Sequence, residues 1–93
     1  MRHVLVSSST PDLADELREI APPSTTFVNE TGIDPTLERL ARSARIDAVV
    51  TDDPEVLAAI RSEIPGVLPI LLVNEGEEPM GVFQRLMVLI DAS

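Results

Sequence analysis

The chain has 93 residues, 44% of them hydrophobic, which is enough apolar material for one domain and no more. It contains no cysteine, which excludes disulfides, zinc–thiolate sites and thiol nucleophiles, and no run approaches the roughly 18 apolar residues that cross a bilayer. Its formal charge of −9 opposes a phosphate backbone, so neither nucleic acid nor membrane is an expected partner.

In chain order, short apolar runs alternate with helical patterns. Val4-Leu5-Val6 is the first strand, entered directly from Met1-Arg2-His3 with no signal peptide, which predicts a reducing, cytoplasmic location. Ser7-Ser8-Ser9 follows as a hydroxyl-rich turn with Ser9 or Thr10 as helix cap. Leu13, Leu17 and Ile20 then mark one face of a first helix that opens at Thr10-Pro11. Thr25 to Val28 is the second strand. The second helix opens at Asp34-Pro35 and carries its apolar face on Leu37, Leu40, Ala41 and Ala44. Ala48-Val49-Val50 is the third strand. Asp53-Pro54 starts a third helix with Val56, Ile60 and Ile64 inward, and Pro65-Gly66 ends it. Leu68 to Val73 is continuously apolar, as suits a parallel strand covered on both faces.

From Pro79 to Ser93 two readings stay open. Val82, Leu86, Leu89 and Ile90 share a helical face, while Phe83, Met87 and Val88 make the segment apolar nearly all round; a short helix followed by a strand over Leu86 to Ile90 is the alternative. The helix is the preferred reading. A helix apolar on most sides predicts a covered surface, with Val82, Phe83, Leu86, Met87, Leu89 and Ile90 facing a second copy or another domain. Strands alternating with helices of this length predict a three-layer α/β fold: a mostly parallel sheet of about four strands, order 2-1-3-4, flanked by helices.

Few residues carry chemistry. Asp52 and Asp53 are adjacent carboxylates at the C-terminal edge of the sheet, where ligands bind in such folds. Asp53 is expected to cap the third helix, and Asp52 is the one candidate phosphoacceptor or metal ligand. His3 is the sole histidine and lies at the opposite end of the first strand, so it is expected at the surface and not in a site. The stretch Glu75-Gly76-Glu77-Glu78-Pro79 reads as a solvated turn that stops the fourth strand. No glycine occurs between Ser7 and Thr10, so the phosphate-cradling loops of nucleotide sites are missing.

The segment Leu37-Glu38-Arg39-Leu40-Ala41, then Ile46-Asp47-Ala48-Val49-Val50-Thr51-Asp52, resembles the second helix and third strand of a response-regulator receiver domain. Ala59-Ile60-Arg61 to Pro65 and Leu68 to Val73 resemble its third helix and fourth strand. The resemblance spans about three-quarters of the chain and is nearest to receivers of archaeal sensor and regulator proteins. It implies a flavodoxin-like fold in which Asp52 stands at the phosphate-accepting position of two-component signalling. It also exposes departures. Ser7 and Ser8 stand where receivers carry the acidic pair that binds magnesium, and Asn74 stands where they carry a Ser or Thr. No lysine exists to meet a phosphoryl group, because all seven basic residues are arginine. Magnesium is therefore expected only if the Asp52 site is active, and otherwise no cofactor. The resemblance implies a degenerate, non-enzymatic receiver that works by protein contact, as a homodimer or within a larger signalling protein; a switch that uses Asp52 is the alternative. The acid excess with complete loss of lysine resembles proteins of salt-loving archaea, in which salt screens self-repulsion, while a GC-rich genome would account for the arginine alone.

Overall fold

The computed structural model describes residues 2–8, 12–42, 45–64, 68–74 and 76–92. Four strands alternate with four helices: β1 (Arg2–Ser7), α1 (Asp12–Ile20), β2 (Thr25–Glu30), α2 (Ile33–Arg42), β3 (Ala48–Thr51), α3 (Pro54–Glu63), β4 (Ile70–Leu72) and α4 (Pro79–Ala92). The strands form one all-parallel sheet in the order β2-β1-β3-β4. This is the expected flavodoxin-like, three-layer arrangement.

The layers follow from the alternation of side chains along each strand. Val4 and Val6 of β1 and Ala48 and Val50 of β3 point to the face covered by α1 and α4, where they meet Ala14, Leu17, Val82 and Leu86. Leu5 and Val49 point to the face covered by α2 and α3, where they meet Val56 and Ile60. The central strand is thus shielded on both sides, and each fully buried Val or Leu contributes about 1.5–3 kcal/mol.

The structure corrects several expectations. The fourth strand is three residues long, not six. Among the described residues it pairs only with β3, so regular pairing has one neighbour to sustain it, and Pro69 just before it has no N–H to offer. The second helix begins one residue before Asp34, which lies inside the first turn and is not its cap. Gly32, at φ 96°, makes the entry turn in the left-handed region that a side chain would strain. The inward stripe of α2 is Ile33, Thr36, Leu37 and Leu40, while Ala41 is exposed. The final segment is one helix. Val82 and Leu86, expected at an interface, are fully buried in this domain's own core, and Phe83, Met87, Leu89 and Ile90 are half-buried against it. The outward apolar residues of that helix are Val88, 69% exposed, and Met80, 50% exposed. Ser9, Thr10, Pro11, Ala44, Pro65, Gly66 and Glu75 lie outside the described residues.

Candidate functional site

The C-terminal edge of the parallel sheet gathers Ser7 and Ser8 from the end of β1, Asp52 and Asp53 after β3, and Asn74 after β4. The chain turns sharply after β3. The Asp53 N–H donates to the Thr51 hydroxyl at 3.1 Å, and the Asp53 carboxylate accepts from the Glu55 N–H at 2.9 Å. Asp53 is thereby the N-cap of α3 with Pro54 in its first turn, as the Asp-Pro pair predicts. With Asp53 so engaged, Asp52 is the carboxylate left at the rim.

Asp52 is exposed, and the Ser8 hydroxyl donates to its Oδ2 at 3.0 Å. Ser8 itself is 3% exposed and held on two further sides: its N–H donates to the Glu30 carbonyl, and its carbonyl accepts from the Thr31 hydroxyl. The Ser8–Asp52 pair separates two shallow clefts. One, of about 370 Å³, is lined by Ser7, Thr31, Gly32, Asp53 and Pro54; the other, of about 390 Å³, by Leu13, Val73, Asn74, Gly76 and Glu77. Ser8, Asp52 and Asn74, singled out separately in the sequence, therefore share one cleft.

Ser7 takes another role. It is 1% exposed, and its hydroxyl lies 2.8 Å from the hydroxyl of Thr36, which is fully buried on α2. A threonine hydroxyl has one proton, and Thr36 donates it to the Gly32 carbonyl at 2.7 Å. Ser7 is thus the donor to Thr36, and the hydroxyl ties β1 to α2. Sequence reasoning missed Thr36. Its signal was the spacing Ile33, Thr36, Leu37, Leu40 (i, i+3, i+4, i+7), which puts a polar residue in an otherwise apolar stripe.

A second unread feature closes the Asn74 side. Arg85 of α4 forms an ion pair with Glu77 and donates at 3.4 Å to the Leu72 carbonyl, while the Asn74 N–H donates to Glu77 Oε1 at 3.1 Å. The Arg85 guanidinium, with help from the Asn74 N–H, holds the Glu77 carboxyl below the usual glutamate range. His3 lies at the opposite end of β1, where its N–H donates to Asp47.

Among the described residues, no three acidic or histidine side chains converge, and no helix is long and apolar enough to cross a membrane. No protein-family model, curated protein or solved structure matches the chain.

Proposed function

We propose that this chain is a degenerate receiver-like module: a non-enzymatic regulatory domain that acts by protein contact in a signalling protein and no longer through a phosphoryl switch. The observation that carries this reading is the state of Ser7 and Ser8. Both positions at which a receiver supplies magnesium-binding carboxylates hold neutral hydroxyls already engaged, Ser7 with Thr36 and Ser8 with Asp52. A phosphoryl group arriving on Asp52 would need a cation to offset its charge. Here it would meet the Asp53 and Glu77 carboxylates already committed to a helix cap and to Arg85, two occupied hydroxyls, an amide and no lysine, a donor set that fits a hard cation poorly. The setting we propose with it is cytoplasmic and rich in salt, with neither nucleic acid nor membrane as a partner.

One observation favours the alternative of a switch or small-ligand site at Asp52: its carboxylate is exposed and clefts lie on both sides of it. An NMR titration of the isotope-labelled chain with magnesium and beryllofluoride, a phosphoryl mimic, separates the two. The contact-module reading expects the amides of Ser8, Asp52 and Asn74 to stay in place. Joint, saturable shifts of those amides would replace it with the switch.

A further inference from the structure

Among the described residues β4 is an outer strand of the sheet, paired on one side only, with β3. The Pro69 carbonyl accepts from the Val49 N–H, and the Val73 N–H donates to the Thr51 carbonyl. Alternate residues of a parallel strand direct their backbone groups to opposite sides. Ile70 and Leu72 therefore direct theirs away from the sheet. At the upper end this edge is blunted by charge, because Arg85 reaches the Leu72 carbonyl and Glu77 takes the Asn74 N–H. The Ile70 N–H and carbonyl and the Leu72 N–H face past the edge.

Beside this edge runs an apolar groove lined by Leu71, Gln84, Arg85, Val88 and Leu89. Val88 is 69% exposed and, with Met80 at the start of the same helix, makes up the exposed large hydrophobics among the described residues. Open strand groups and an apolar shoulder thus lie side by side.

Charge selects the occupant. Residues 68–74 hold no charged side chain, and residues 79–92 hold one of each sign, Arg85 and Asp91, so the whole formal charge of −9 sits on the rest of the chain. A basic partner would be drawn to the acidic surfaces and gain nothing at this neutral one. Two copies of the chain, by contrast, repel wherever acidic surfaces meet and can approach without like-charge contact at the neutral face.

We infer that a second copy of this chain docks here: two β4 edges pair antiparallel about a two-fold axis, and Val88 of each copy packs against the groove beside the other's edge. Such an isologous contact lets each copy supply the donors and acceptors that its partner lacks. The inference rests on the contact-module reading and names its partner.

Sedimentation equilibrium of the full chain over a concentration series tests it, at about 0.1 M and about 1 M salt, between which the screening length falls from about 10 Å to about 3 Å. The expected result is a reversible dimer that tightens at high salt as the repulsion between two −9 copies is screened. Val88→Asp places a charge on the contact and is expected to weaken the dimer by about tenfold or more while leaving the thermal melt of the monomer unchanged. Because Val88 is a surface residue, fold and association are read independently. As a second measurement, the Ile70 and Leu72 amides are expected to exchange more slowly in the wild-type dimer than in monomeric Val88→Asp, with the Leu71 amide unaffected. A chain that stays monomeric at every concentration and salt overturns the inference, as does a dimer indifferent to Val88→Asp whose Ile70 and Leu72 amides gain no protection. Either failure leaves the contact-module reading standing, since that reading fails separately, on the beryllofluoride titration.

Discussion

The buried hydroxyl pair Ser7–Thr36 allows a sharp test of how the end of β1 is tied to α2. Thr36→Val keeps the shape of the side chain and removes its oxygen. Ser7 then has a donor with no acceptor at a position 1% exposed to solvent, and a buried unsatisfied donor costs about 1–3 kcal/mol. The Gly32 carbonyl also loses a bond, but Gly32 is exposed and water can replace it. Ser7→Ala is expected to cost less, about 0.5–1.5 kcal/mol, because Thr36 keeps its proton on Gly32 and is left only with an unused lone pair. With both residues changed, no orphaned donor remains, so the double variant should be more stable than Thr36→Val alone, with a coupling energy of about 1–2 kcal/mol. The chain has neither tryptophan nor tyrosine, so urea unfolding is followed by circular dichroism and not by fluorescence. In a thermal melt each kcal/mol appears as about 4–8 °C for a domain of this size. A Thr36→Val variant as stable as wild type, or a double variant whose loss equals the sum of the singles, would refute the assignment of Ser7 as donor and of the pair as a structural tie.

Other outcomes follow from the same geometry. Asp53→Ala removes the acceptor for the Glu55 N–H and should cost about 1 kcal/mol in denaturant unfolding, whereas Asp52→Asn, which keeps an acceptor for Ser8, should stay within about 0.5 kcal/mol of wild type. Leu86→Ala empties a fully buried position between α4 and the sheet and should cost about 2–5 kcal/mol by thermal melt, while Val88→Ala, two residues on and exposed, should be nearly neutral at concentrations where the chain is monomeric. For Glu77, whose carboxyl is held below its ordinary value by Arg85, the unfolded chain binds the proton more readily than the folded one. Its stabilising effect is therefore complete above the unfolded-chain value, about 4.3 for glutamate, and is lost as pH falls through the lower folded value. Melting temperatures of wild type and Glu77→Gln should converge as the pH is lowered through that range, and a gap that stays constant with pH would contradict the pairing with Arg85.

How far the sequence could be read depended on whether local pattern or tertiary context decided each feature. β1 to β3 are short β-branched runs bounded by turn residues, and the Asp53-Pro54 start of α3 is a local cap, so both were legible. The inward stripe of α2 was read too near the C-terminus, because Thr36 looks like a surface residue until the Ser7 hydroxyl is placed beside it. α4 was legible as a helix but not in its orientation: a helix apolar nearly all round has no period that singles out a face, and only the sheet beneath it assigns Val82 and Leu86 inward and Val88 outward. The six-residue apolar run that shrank to a three-residue strand has the same cause, since run length reports burial, whereas strand length requires a pairing neighbour. At the candidate site, the positions of Ser7, Ser8, Asp52 and Asn74 could be anticipated from strand ends, but which hydroxyl faced which partner could not. Arg85 and Glu77 were invisible as a pair because eight residues and a turn separate them.

The placement of α4 links the rim to the open edge. From β4 the chain passes to the face that carries α1, and α4 packs beside α1 over Val4, Val6, Val50 and Leu71. The α1-side core is thus covered by the inward half of α4, and among the described residues no strand lies beyond β4. Two consequences follow from that one path. The flank of β4 is left as surface, with Val88 next to it and Arg85 set across its upper end. The Asn74 side of the rim is occupied by the Glu77–Arg85 pair, which directs a guanidinium at the strand carbonyl and an acidic oxygen at the Asn74 N–H. The one cation of α4 is thus used to blunt the sheet edge. A surface for contact and a rim poorly equipped for phosphoryl chemistry are, on this reading, two results of the same packing choice.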